Sequence, residues 1–126
     1  MAESVDRYFR SMMMGRRARL CDRSWSPAAD IYRTRDGWIV KLDLAGVRAE
    51  DIEVTIDGPY LKVTGTRRDS FYGEGISYHQ LEITYSRFER VLRLPCNIGS
   101  AHLAREYKDG LLILHLSQEE GDPNCG

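Results

Sequence analysis

No stretch of this 126-residue sequence approaches the roughly 20 consecutive apolar residues that a membrane helix requires. The first residues mix Arg and Asp into their apolar positions, so the charged-then-apolar order of a secretory leader is missing too. The expected compartment is the cytosol. Cysteine is scarce: Cys21, Cys96 and Cys125 stand in no regular spacing. That argues against a disulfide framework and against a Cys-x-x-Cys zinc site, and leaves incidental thiols. Charge of one sign is also lacking overall, since the net charge is −1.

Catalytic constellations are missing as well. His79, His102 and His115 are scattered, and none has a Ser or Cys partner at a spacing suited to nucleophilic attack. His115 falls inside a strand-like run and reads as a half-buried sheet residue. Gly73-Glu74-Gly75 precedes no basic helix and forms no phosphate cradle. Acidic residues mostly alternate with bases, so no carboxylate cluster suggests a metal site. No cofactor is expected.

The charge that is present is unevenly placed. Residues 1–23 carry a net +3, residues 24–116 a net −1 and residues 117–126 a net −3. A basic arm, a balanced body and an acidic tail describe one domain with two appendages. The body is not positive enough for a nucleic-acid-binding domain, and Arg16, Arg17 and Arg19 read as a solvated segment.

In the arm, Val5, Tyr8, Phe9, Met12 and Met13 recur at helical period, with Ser4 placed to cap and Gly15 to stop. From Trp25 onward the period becomes two. Trp38, Val40, Leu42 and Leu44 alternate with mostly polar neighbours, and Ile52, Val54 and Ile56 do likewise, followed by Leu61 and Val63. Leu111-Leu112-Ile113-Leu114 is apolar on both faces, as a covered strand would be. Asp36-Gly37, Asp57-Gly58 and Asp109-Gly110 supply turn signals between such runs. About seven short strands with no helices between them predict an all-β, immunoglobulin-like antiparallel sandwich with a short N-terminal helical arm. The one long connection, residues 66–79, carries Phe71, Tyr72, Ile76 and Tyr78 and is too aromatic for a plain solvated linker.

The order of segments resembles the α-crystallin domain of small heat-shock proteins over residues 26–116, with 1–25 as the arm and 117–126 as the tail. Ala45-Gly46-Val47 resembles the family's Pro-Gly-Val turn. Glu50-Asp51-Ile52-Glu53-Val54 and Leu61-Lys62-Val63-Thr64-Gly65 resemble its next strand pair. Tyr78-His79, Glu82, Tyr85, Phe88 and Arg90 follow the pattern of the strand after the long loop, and Leu94-Pro95 and Asp109-Gly110-Leu111-Leu112 close the match. Ala45 replaces the turn proline, Ile83 an arginine, Ser86 a glycine and Arg105 a small residue.

The resemblance implies an ATP-independent holdase that covers apolar surface on unfolding proteins, with a homodimer formed by strand exchange of the 66–79 loop. Client binding would fall to Tyr8, Phe9, Met12, Met13 and Met14, unless that stripe docks within the protein's own assembly. A groove would be lined by Ile52, Val54 and Leu103 and crowded by Arg105, while Phe71, Tyr72, Tyr78 and Arg90 would serve the dimer. The tail lacks the Ile-x-Ile through which relatives build large assemblies, so a dimer or small oligomer is expected. The alternative with the same fold is a CS-domain-type co-chaperone of one specific partner.

Overall fold

The computed structural model describes residues 24–71 and 73–118. Two four-stranded sheets face each other. One has the order β1-β6-β5-β4, from Ser24–Trp25, Arg87–Arg93, Tyr60–Thr66 and Ile52–Asp57. The other has the order β2-β3-β8-β7, from Ala29–Arg33, Gly37–Asp43, Leu111–Ser117 and His102–Lys108. Pairing is antiparallel except between β1 and β6, which run parallel with Trp25 opposite Phe88. That pair departs from the purely antiparallel expectation. A single 3-10 turn, Ala49–Asp51, also stands where the sequence pattern gave no helix.

Strict alternation makes the sandwich. In β3 and β8 every second residue is buried: Trp38, Val40 and Leu42 face Leu112, Leu114 and Leu116 across the ladder. Leu61 and Val63 of β5 and Phe88 and Leu92 of β6 supply the opposite inner face. Burying one such side chain stabilises the fold by about 1.5–3 kcal/mol, so this shared core decides the register of both sheets. The Trp25 ring meets Phe88 edge-on at 5.5 Å between centroids and fixes β1 at the sheet's margin.

The turns carry their own chemistry. Asp109 and Gly110 both take positive φ, 54° and 82°, which is the two-residue hairpin geometry their dipeptide signals. Gly37 is a glycine for a different reason. It opens β3 in ordinary backbone conformation, and a Cβ there would run into the Leu116 carbonyl. Cys96 is buried and disulfide-bonded, its other half lying outside the described residues, which corrects its reading as an incidental thiol.

Candidate functional site

Between Thr66 and Arg87 the chain leaves the ladders altogether, so the long connection covers residues 67–86 and exceeds the expected 66–79. Tyr78, Glu82 and Tyr85, expected to approach or enter a strand, lie in this connection, because β6 starts only at Arg87. Phe71 is 75% exposed, and Ile76, Tyr78 and Ile83 are exposed with it. Four exposed apolar side chains in one segment form a surface that water covers poorly. Tyr72 lies outside the described residues, as do the stripe Tyr8, Phe9, Met12, Met13 and Met14 and the tail from residue 119.

Arg67 closes the base of this segment. Its backbone N–H donates to Ser86 O at 3.0 Å, its Nε to Thr84 O at 2.8 Å and its Nη1 to Ala45 O at 3.2 Å. The guanidinium lies 3.8 Å from the centre of the Trp25 ring. Burial pushes its pKa below the usual arginine value, offset in part by Tyr85, Asp43 and Tyr107. An arginine remains charged at neutral pH under such a shift, so a stacked cation ties β1, the long segment and the 44–47 turn together.

Away from β1 and β2, the edge strands β4 and β7 close the opposite margin of the two sheets. Ile52 is buried, Val54, Ile56 and Leu103 are half-buried, and Arg105 is exposed. The Arg105 side chain crosses from one sheet to the other, with Nη2 donating to Ile52 O at 3.4 Å. Of the four residues expected around a groove, this bond joins Arg105 to Ile52, while Val54 and Leu103 pack against the core from β4 and β7. Tyr107 closes one end of this side. Its hydroxyl lies 2.6 Å from Leu44 O and 2.7 Å from Val47 O and donates its single proton between them. Burial raises its pKa above the ordinary tyrosine value, against the lowering effect of the Val47 bond and Arg67. Sequence reading missed Arg67 and Tyr107. Their signal lies in contacts across 22 and 60 residues, which no local pattern carries.

Arg90 points between the sheets from β6 and donates through Nη1 to Pro27 O at 2.9 Å. It thereby anchors the crossing from β1 to β2 within its own chain. On the sandwich margin next to that crossing, β2 pairs only with β3 among the described residues, and Ile31 and Tyr32 are 41% and 43% exposed. Such a strand offers a row of unpaired N–H and C=O groups. His115 of β8 sits 3.3 Å from Glu106 of β7. Among the described residues there is no group of three or more His, Cys, Asp or Glu able to hold a metal ion, and no helix long and apolar enough to cross a membrane.

A sequence model of the Hsp20/alpha crystallin family matches residues 30–124. Small heat shock protein C4 of Rickettsia felis is 30% identical over 95 residues, covering 75% of this chain and 58% of that protein. Spore protein SP21 of Stigmatella aurantiaca is 32% identical over 90 residues, covering 71% of this chain and 53% of that protein. The chain thus spans little more than half the length of these two relatives. Among solved structures, heat shock protein 16.0 from Schizosaccharomyces pombe superposes with a TM-score of 0.65 at 25% identity, over 79% of this chain and 96% of that one. The hspA structure from Xanthomonas axonopodis gives 0.64 at 25% identity, over 77% and 97%.

Proposed function

The chain belongs to the Hsp20/alpha crystallin family, and from that premise we propose that it is an ATP-independent holdase, without catalysis, that covers apolar surface on unfolding proteins. The observation that carries the reading is the unsupported apolar surface itself. Segment 67–86 exposes Phe71, Ile76, Tyr78 and Ile83, while the β2 edge exposes Ile31 and Tyr32 beside open backbone groups. These two features complement each other across a two-fold axis: the segment of one chain adds a strand to the β2 edge of its partner. The dimer so formed presents the Met-bearing arms, whose unbranched side chains repack on unlike clients.

Light scattering from unrelated heat-labile proteins, without ATP, tests this. Suppression at equimolar ratio or below supports the holdase. Suppression of none, or of one partner only, overturns it, and the second outcome fits a co-chaperone. Removing residues 1–23 should abolish most of the activity while the sandwich stays folded. Full activity without them would remove the arm from the client surface.

A further inference from the structure

The two sheets have unlike outer faces. That of β1-β6-β5-β4 sets two exposed apolar side chains, Tyr60 and Val91, among Glu53, Thr55, Lys62 and Glu89. The outer face of β2-β3-β8-β7 carries more apolar residues. Register places Tyr32 beside Ile39; on the neighbouring strand β8 His115 stands opposite Ile39, and Ile113 and Leu111 follow diagonally, opposite Lys41 and Asp43. The four apolar residues form a diagonal stripe over three strands, and Ile39, Ile113 and Leu111 are only half-buried. A free-standing sandwich would carry polar residues there.

We propose that this stripe is the docking site of the chain's own residues 4–14. The apolar positions Val5, Tyr8, Phe9, Met12 and Met13 match one face of a helix, and the first and last are separated by about 12 Å at helical rise. The stripe on the sheet runs about 17 Å, from the strand spacing and rise. Reach is sufficient. Ser24 opens β1, and the chain then crosses directly to β2, the margin of this same face. Residues 14–23 span up to about 33 Å when extended, against a sheet separation of about 10 Å to be rounded.

Charge and size favour this occupant. Asp30, Asp43 and Glu106 border the stripe against Lys41 and Lys108, one acid in excess, while residues 4–14 carry Arg7 and Arg10 against Asp6, one base in excess. The Lys41 ammonium lies over the Tyr32 end of the stripe, 5.3 Å from the ring centre. A second copy pairing through this face would have four side chains where a stable dimer buries about 800 Å² per partner. An eleven-residue amphipathic segment needs no more than the stripe offers. The consequence for clients, that a docked arm is withheld from them, rests on the holdase reading. The docking itself does not.

Amide exchange on the full chain tests the docking directly. Amides of residues 5–14 should exchange at least about tenfold slower in the unaltered protein than in the Ile39→Thr/Ile113→Thr variant. The β3 and β8 amides, unchanged in both, report that the sandwich is intact. The Phe9→Ser/Met13→Ser variant, altered outside the sandwich, should show the same loss and keeps the test decisive if the sheet variant fails to fold. Unprotected arm amides in the unaltered protein, or equal protection in the arm variant, would overturn the proposal. Protection that falls on dilution would overturn it also, by assigning the stripe to another copy.

Discussion

The Arg67 guanidinium lies over Trp25, 3.8 Å from the ring centre, while its N–H groups reach Thr84 O and Ala45 O. One side chain therefore joins the first strand, the end of the exposed segment and the turn after β3. Replacing it with Ala removes a partly desolvated cation–π contact and two hydrogen bonds, and leaves two carbonyls to find water. The expected loss is about 2–3 kcal/mol. Thermal unfolding should show it as a lower Tm, and limited proteolysis should cut faster within residues 67–86. Arg67→Lys should recover only part, because an ammonium cannot stack and donate in two fixed directions at once.

Tyr107 gives a second expectation, with a definite pH dependence. Tyr107→Phe deletes the only hydroxyl between Leu44 O and Val47 O, and should cost about 1–2 kcal/mol in denaturant unfolding. Because burial raises its pKa in the folded chain, the folded state holds this proton more tightly than the unfolded one. Its contribution is therefore complete below the ordinary tyrosine pKa of about 10 and is lost as pH rises through the higher folded value. The unaltered protein should lose stability over that alkaline window more steeply than the Phe variant. Equal slopes would show that the phenol does not titrate differently in the two states.

The sandwich was legible in the sequence wherever burial has period two. Trp38 to Leu44 fall on the inner face as their alternation requires, whereas Leu111 to Leu114, read as covered on both faces, bury fully only Leu112 and Leu114. The 78–86 region was not legible, because Tyr78 and Tyr85 look like strand residues by type, while the ladder that would hold them has no partner strand among the described residues. Arg105 was readable as an intruder in the expected groove. Its hydrogen bond to Ile52 O was not, since that needs the two sheets' edges set opposite each other. Gly37 shows the same limit: its dipeptide signalled positive φ, whereas the glycine serves a close approach to Leu116.

The β2 edge can be tested apart from the fold. Ile31 is 41% exposed at a margin strand, so Ile31→Lys should lower stability by less than about 1 kcal/mol. A lysine on an edge nevertheless opposes addition of a further strand. Sedimentation should show the unaltered chain as a dimer or larger, and the variant shifted toward monomer. Phe71→Ser with Tyr78→Ser should produce the same shift from the other side of the contact, since both are exposed and hold nothing in their own chain's core. Monomer in one variant and intact dimer in the other would show that strand exchange is not what joins the copies.

Arg105 links the edge strands β4 and β7 through its side chain. Its Nη2 donates across the sheets to Ile52 O at 3.4 Å, and Val54 and Leu103 on the same two strands are half-buried. The bond is long and the side chain exposed, so Arg105→Ala should change stability by less than about 1 kcal/mol. What it should change is access. With the long side chain gone, apolar surface on Val54 and Leu103 opens beside the backbone edge of β4. Binding of an environment-sensitive apolar dye should rise, and the distribution of assembly sizes should move upward. Arg105→Lys, which keeps a long cationic stem over the same surface, should leave both measurements near those of the unaltered chain. If the alanine and lysine variants behave alike, this margin is governed by its apolar residues and not by the side chain that crosses it.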